Sequence, residues 1–168
     1  MTTQNYSFVL VRGLIRETEH WGPFVGQLGE AFPSSDVQGL DIPGAGKRHR
    51  GKAPLSIERM VHLMRQDLLA LPSPKGKTRV LIAVSLGGMI AAQWMHDFPQ
   101  DFQRVVLINT SYASFSPPWQ RLKLSALKSL LPVLVLRGHA RERRILSVVS
   151  NRPDLYAATS RDWARIQE

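Results

Sequence analysis

Cysteine is absent from the 168-residue sequence, which excludes disulfide bonds, thiolate metal sites and a cysteine nucleophile. No apolar run reaches the roughly 18 residues that a helix needs to span a bilayer, so we predict no membrane span. Residues 1–5 carry neither a basic region nor a long apolar segment, and we therefore expect no signal peptide. These absences favour a cytoplasmic location. We also predict no cofactor and no bound metal.

Acidic residues are few relative to basic ones, with 13 Asp and Glu against 22 Lys and Arg and a formal net charge of +9. The basic residues cluster in two places, 47–52 and 137–144. Neither cluster is interleaved with aromatic side chains for stacking on bases, and no nucleic-acid-binding motif is present. We therefore predict no nucleic-acid partner. The charge indicates a solvated basic surface or a surface that lacks its acidic complement.

Strand-like and helix-like apolar patterns alternate along the first two thirds of the chain. Short β-rich runs predict four strands: 6–11, 36–40, 80–84 and 104–108. Apolar residues at helical spacing predict helices between them: 21–32, 57–71 (with Ser56 as its N-cap) and 86–96. This alternation predicts an α/β fold built on a parallel sheet.

The stretch around Ser85 is the strongest functional signal. An apolar strand runs directly into Ser85, and the small residues Ala83 and Gly87 lie two positions before and after it. This spacing matches the nucleophile-elbow pattern G-x-S-x-G, with alanine in the first glycine position. A serine in that pattern lies at the tip of a sharp strand-to-helix turn, where the helix N-terminus suits a developing oxyanion. The alternative is a structural serine in a tight turn.

Two glycine turns follow the first two predicted strands. Arg12-Gly13-Leu14 comes after the first, and taken alone it also fits a simple glycine turn. Asp41-Ile42-Pro43-Gly44-Ala45-Gly46 comes after the second, where glycine permits positive φ and proline pre-sets the turn. No Gly-Lys-Ser/Thr follows it, which argues against a phosphate-binding loop. We predict that Asp41 holds this turn and performs no chemistry.

With the elbow, the Arg-Gly-Leu turn and the D-x-P-G-x-G turn together, the sequence resembles the α/β-hydrolase superfamily of serine esterases and lipases. The resemblance implies a parallel-sheet α/β-hydrolase core, incomplete in this chain, over residues 1–115 and a helical lid-like region over 116–168. It implies Ser85 as the nucleophile, with the backbone N–H groups of Leu14 and Leu86 as the oxyanion hole. Arg12 replaces the histidine that the family usually carries.

The same resemblance implies a triad acid and then a histidine after Ser85. His96 lies about three turns along the elbow helix, at roughly 1.5 Å per residue, and is expected to point away from Ser85. His139 has no acid at the expected spacing before it. Asp154 and Asp162 have no histidine after them. The acid, the base and the last two strands are therefore predicted to be absent from this sequence. The chain is then a piece of a longer hydrolase, a catalytically incomplete relative, or one half of a site that a second chain completes.

Two readings of function follow. The first is a serine hydrolase that acts on a carboxylic ester or related small-molecule acyl substrate. The second is a catalytically inactive, hydrolase-like binding module whose exposed sheet edge or lid recruits a partner. The expected protein partner is a second copy of the chain or a complementing chain. Two further expectations concern local structure. His20 is expected to face solvent and His62 to have no functional role. The run 132–138 fits either a further strand or part of the lid, and we favour the lid.

Overall fold

The computed structural model describes residues 5–72, 75–112 and 131–166. The chain divides into two compact units, Met1–Tyr112 and Ala113–Glu168. In the first unit, strands and helices alternate in this order: β1 (Tyr6–Val11), α1 (Phe24–Ala31), β2 (Asp36–Leu40), α2 (Ile57–Ala70), β3 (Thr78–Val84), α3 (Leu86–Asp97) and β4 (Arg104–Ile108). Short 3-10 helices occupy Thr18–Trp21 and Gly46–Arg48. All four strands predicted for this unit are confirmed.

The strands form one parallel sheet in the order β2-β1-β3-β4. β1 lies between β2 and β3, and β4 forms an edge by pairing with β3. The predicted parallel α/β architecture is therefore confirmed. Because the carboxyl ends of parallel strands share one edge of the sheet, the loops that follow the four strands meet there. That edge holds both glycine turns and Ser85.

The two inner strands are buried on both faces, which explains why their sequences are continuous apolar runs. One face packs against α2 and α3, and its buried side chains include Val9, Val11, Leu81, Ala83, Met64 and Trp94. The other face packs with α1 and Trp21, and its buried side chains include Phe8, Leu10, Val80 and Ile82. Helix α2 begins at the predicted cap, where the Ser56 hydroxyl accepts the Arg59 N–H at 3.2 Å.

Asp101, in the loop between α3 and β4, joins three parts of the α2–α3 layer. Its buried carboxylate accepts two hydrogen bonds from Arg65 of α2, at 2.7 and 3.2 Å. It also accepts the Trp94 indole N–H of α3 at 2.9 Å. A buried carboxylate needs such partners to offset its desolvation. Asp101 therefore fixes how the elbow helix lies against its neighbour.

The second unit is helical where it is described. A 3-10 helix spans Leu131–Leu134, followed by α4 (Gly138–Val149), a further 3-10 turn at Pro153–Leu155 and α5 (Tyr156–Ile166). α4 and α5 pack against each other. The strand alternative for 132–138 is wrong, because the Pro132 carbonyl accepts the local N–H groups of Val135 and Leu136 at 3.2 and 3.0 Å. Positions 116–130 of the predicted lid-like region lie outside the described residues.

Candidate active site

Ser85 occupies the sharp junction between β3 and α3 in a strained backbone conformation. Its φ of 56° and ψ of −118° lie in a region that side-chain-bearing residues rarely adopt. As the N-cap of α3 it makes no side-chain capping bond among the described residues, and it is exposed to solvent. The predicted strand-to-helix turn is confirmed. The chemical role of the hydroxyl remains a prediction.

The end of β4 and the first turn of α3 hold the backbone of Ser85 in this conformation. Its N–H donates to the carbonyl of Ile108 at 3.0 Å. Its carbonyl accepts the Gly88 N–H at 2.9 Å and the Met89 N–H at 3.3 Å. The same carbonyl accepts the Thr110 hydroxyl at 2.8 Å. Strain of this kind persists where surrounding contacts fix the backbone, as these four hydrogen bonds do for Ser85.

The loop after β1 lies directly against Ser85. A β-carbon added at Gly13 would be 3.0 Å from Ser85 Cβ and 3.5 Å from Ser85 Oγ. Gly13 opens a turn that is closed by the Arg16 N–H donating to its carbonyl at 3.2 Å. Leu14 lies at the tip of that turn, with 68% of its surface exposed. The structure thus brings the Leu14 turn and Ser85 to the same place.

Leu86 is the first residue of α3. N–H groups at this position have no acceptor within the helix ladder and carry the positive end of the helix dipole. The three residues predicted from the sequence as a site, Ser85, Leu14 and Leu86, are therefore neighbours at the carboxyl edge of the sheet. Whether the two N–H groups bind an oxyanion stays a prediction.

A cluster of basic and aromatic side chains lies on the loop after β1, and sequence reasoning missed it. The Arg12 guanidinium lies over the Trp21 ring, 5.1 Å from its centroid. Burial, reinforced by nearby Arg16, lowers the pKa of Arg12 to about 10. Arginine is suited to stacking on an aromatic face. Arg12 therefore takes a packing position beside the loop that carries Leu14.

His20 belongs to the same cluster, and the expectation that it faces solvent is wrong. Only 4% of its surface is exposed, because Nδ1 accepts the Glu17 N–H at 3.2 Å and Nε2 lies 3.3 Å from Arg16 Nη1. Burial, then the charges of Arg16 and Arg12, lower the pKa of His20 to about 4. His20 is therefore neutral near pH 7. The Glu-x-x-His spacing of a capping box was the available signal.

Asp41 confirms its predicted structural role. Oδ1 accepts the N–H and the hydroxyl of Thr18 at 2.7 and 2.8 Å. Oδ2 accepts the Lys47 N–H at 3.0 Å. Gly46 has a φ of 50°, and a β-carbon there would meet the Asp41 carboxylate at 2.2 Å, which explains the last glycine of the turn. One carboxylate thereby joins the loops after β1 and β2.

His96 and Asp154, two of the groups considered from the sequence, have local partners. His96 lies in the last turn of α3, the end remote from Ser85, with Nδ1 3.0 Å from Asp97 Oδ1. Asp154 pairs with Arg152 at 2.8 Å in the second unit. No group of three or more His, Asp or Glu side chains in the described ranges is arranged to hold a metal ion. Within the same ranges, no helix has the length and apolar character to cross a bilayer.

A parallel sheet whose central strand ends in a strained, exposed serine, at the start of a helix and beside a glycine turn, defines an α/β-hydrolase. Residues 5–167 match the family described as serine aminopeptidase, S33, and the chain belongs to this family. A search of curated protein sequences gives no match.

Solved structures share the fold at low sequence identity. The RedJ thioesterase of the prodiginine biosynthetic pathway in Streptomyces coelicolor superposes with a TM-score of 0.60 at 13% identity, covering 96% of this chain and 55% of its own. The thioesterase domain of the curacin biosynthetic pathway gives a TM-score of 0.60 at 15% identity, and the alignment covers 98% of this chain and 58% of that domain. ClbQ of the colibactin pathway gives a TM-score of 0.59 at 12% identity, and the alignment covers 98% of this chain and 68% of ClbQ. The chain therefore spans a little over half the length of the first two structures.

Proposed function

We propose that this chain carries the nucleophile half of a serine hydrolase that acts on a carboxylic ester or thioester. The observation that supports it most is the strained, exposed Ser85 held between β3 and α3. Glycine would adopt this φ at lower steric cost than serine, so a serine kept at the position favours a role for its hydroxyl. The thioesterase names of two structural relatives favour a thioester among the acyl substrates.

In this proposal Ser85 Oγ attacks the acyl carbonyl carbon while a base takes the hydroxyl proton. The carbonyl π electrons move to its oxygen, which becomes an oxyanion facing the N–H groups of Leu86 and Leu14. Each donor of this kind lowers the barrier by about 3 kcal/mol. Collapse of the intermediate breaks the acyl C–O or C–S bond, the protonated base gives its proton to the departing alcohol or thiol, and acyl-Ser85 remains. Water then attacks the acyl carbon and gives a proton to the base, which returns it to Ser85 Oγ as the carboxylic acid leaves.

The base and its orienting acid are proposed to come from polypeptide beyond this sequence. The chain covers 55% of the RedJ thioesterase, so the relative has room for both. Without a base, an oxyanion hole and substrate binding alone still accelerate such reactions about 10³–10⁴-fold over water. We expect the same donors to support a slow, site-specific reaction of Ser85 with an activated reagent, with water taking the hydroxyl proton in place of the base.

The test is covalent labelling with a fluorophosphonate, read by peptide mass mapping, together with turnover of a short p-nitrophenyl ester. We expect label on Ser85, none in Ser85→Ala, and full labelling in Ser56→Ala, which alters an exposed serine elsewhere. A folded wild-type protein that takes no label at Ser85, and hydrolyses the ester no faster than Ser85→Ala, removes the proposal.

A second candidate function, a binding scaffold without catalysis, is favoured by the edge strand β4. Val106 and Leu107 on this strand have 44% and 48% of their surface exposed. An exposed apolar strand edge favours pairing with another strand, here from a second copy of the chain. Size-exclusion chromatography with light scattering then gives a mass near twice 18.9 kDa, and Leu107→Lys returns the monomer. A wild-type monomer at high concentration contradicts this candidate.

A further inference from the structure

Thr110 has no part in the hydrolysis as proposed, yet it touches the centre of the site. It lies two residues beyond the end of β4 and donates its hydroxyl to the Ser85 carbonyl at 2.8 Å. We propose that Thr110 is a positioning residue that fixes the Ser85–Leu86 peptide plane and so aims the Leu86 N–H at the developing oxyanion. This inference rests on the proposed hydrolase function, but it has a test that does not depend on turnover.

The link between Thr110 and Leu86 follows from the planarity of the peptide bond. In a trans peptide the carbonyl oxygen and the next N–H lie in one plane and point in opposite directions. A hydrogen bond that fixes the Ser85 carbonyl therefore also fixes the Leu86 N–H. Thr110 approaches from the end of β4, while the N–H groups of Gly88 and Met89 approach from within α3. Hydrogen bonds from these two directions prevent the Ser85–Leu86 peptide plane from tilting, which bonds from one direction alone would allow.

Gly88 provides the space for this contact. A β-carbon at Gly88 would lie 2.5 Å from Thr110 Cβ and 2.7 Å from Thr110 Oγ1. The elbow pattern accounts for Gly87, two residues after the serine, but gives no reason for a second glycine. The approach of Thr110 supplies that reason. The Gly-Gly pair thus serves two contacts, with β1 at Gly87 and with Thr110 at Gly88.

The chain after β4 is shaped to deliver the Thr110 hydroxyl. Asn109 has a φ of 47°, in the left-handed region that asparagine tolerates better than most residues. This bend lies between two residues that both bind Ser85. The Ile108 carbonyl accepts the Ser85 N–H, and the Thr110 hydroxyl donates to the Ser85 carbonyl. The segment 108–110 therefore holds the strained residue from both sides of its α-carbon.

The first test compares the kinetics of fluorophosphonate labelling in matched variants. Thr110→Val keeps the shape but removes the donor, Thr110→Ser keeps the donor, and Thr78→Val makes the same change at the opposite end of β3. We expect Thr110→Val to lower the maximal inactivation rate about 10-fold with unchanged inhibitor affinity, because a misaimed oxyanion donor weakens only the transition state. Thr110→Ser and Thr78→Val stay within about 3-fold of wild type, a spread of roughly 0.6 kcal/mol.

The second test reads the Leu86 N–H itself by NMR. In Thr110→Val we expect a changed amide chemical shift and a lower order parameter at Leu86, because its peptide plane is less restrained, with Thr110→Ser close to wild type and the amides of α2 unmoved. These measurements need no reaction at Ser85. If the wild type takes no label, the hydrolase function fails and Leu86 still reports whether Thr110 fixes its peptide.

Two outcomes overturn the proposal while leaving the hydrolase function intact. One is a Thr110→Val protein with wild-type labelling and an unchanged Leu86 amide. The other is equal loss of labelling in Thr110→Val and Thr110→Ser, which points to side-chain packing and not to the hydroxyl. If none of the proteins is labelled, an unchanged Leu86 amide in Thr110→Val is by itself enough to overturn the proposal.

Discussion

A β-carbon placed on Gly87 would lie 2.4 Å from the carbonyl oxygen of Arg12. The next contact would be the carbonyl oxygen of Val11, at 2.8 Å. Both atoms belong to the backbone at the carboxyl end of β1, so neither can rotate away as a side chain would. The first turn of α3 is therefore pressed against the loop that carries Leu14, and this closeness places the two proposed oxyanion donors in one site.

The first prediction follows from that contact. We expect Gly87→Ala to lower the free energy of unfolding by about 3 kcal/mol, because the added methyl must displace backbone at the carboxyl end of β1. Gly26→Ala is the control, since Gly26 lies in α1 with nothing within 4 Å of an added β-carbon. That change is expected to stabilise by about 0.5 kcal/mol through helix propensity. Equal urea midpoints for the two variants would contradict the packing described.

The second prediction concerns the strain stored at Ser85. Glycine adopts a φ of 56° without the steric cost that serine meets, so Ser85→Gly is expected to stabilise the fold by about 1 kcal/mol while abolishing labelling. Ser85→Ala keeps the β-carbon and with it the strain, and its stability should match the wild type. Thermal unfolding of the two variants distinguishes them. A Ser85→Gly protein less stable than Ser85→Ala would show that the residue is relaxed.

The third prediction is a pH dependence of stability that comes from His20. Its pKa is lowered from 6.5 to about 4 on folding, so between these values the unfolded chain binds the proton and the folded chain does not. Stability is therefore complete above about pH 6.5 and falls as the pH drops toward 4, by on the order of 2–3 kcal/mol. His20→Asn retains an acceptor for the Glu17 N–H but does not titrate.

Urea unfolding at pH 7 and pH 4.5 measures this effect. The loss between the two pH values should be smaller in His20→Asn than in the wild type. His96→Asn serves as the control, because the side chain of His96 is 83% exposed, and it should keep the full wild-type loss. The same pH dependence in all three proteins would place the responsible group elsewhere.

The fourth prediction separates a buried ion pair from a surface one. Asp101→Ala leaves the Arg65 guanidinium and the Trp94 N–H without their acceptor, and we expect a loss of about 3 kcal/mol. Asp67→Ala breaks the pair with Arg48, in which both side chains are about one third exposed, and should cost less than about 1 kcal/mol. A double-mutant cycle with Arg65→Met isolates the Arg65–Asp101 coupling. Similar losses for the two aspartate variants would refute the role given to Asp101.

Local pattern was enough to place the strands and the elbow. The strands Asp36–Leu40 and Arg104–Ile108 begin and end as predicted, because turn residues bound each short run, although both are outer strands of the described sheet and are only partly buried. The Ser85 turn was also predictable from the sequence, because the residues beside the serine must be small and all of them lie within a few positions of it.

Contacts between distant segments were beyond the reach of those patterns. The Glu-x-x-His spacing indicates a capping box at His20, but the local pattern does not show that the ring is buried. The Thr110 hydroxyl reaches a carbonyl 25 residues earlier in the chain. The apolar run 132–138 has no periodicity that distinguishes a strand from a helix. In the structure, the Pro132 carbonyl accepts local hydrogen bonds that are typical of a helical turn and not of a strand.

The shared carboxylate of Asp41 restricts how this fold can be engineered. Asp41 accepts two hydrogen bonds from Thr18 in the loop after β1 and one from Lys47 in its own loop, so a graft that replaces either segment alone breaks the contact between the two loops. Substrate range is commonly altered by exchanging such segments between homologues. In this chain the loops after β1 and β2 would have to be exchanged together, with Asp41 and Gly46 retained, for the loops to keep the geometry they have in the homologue.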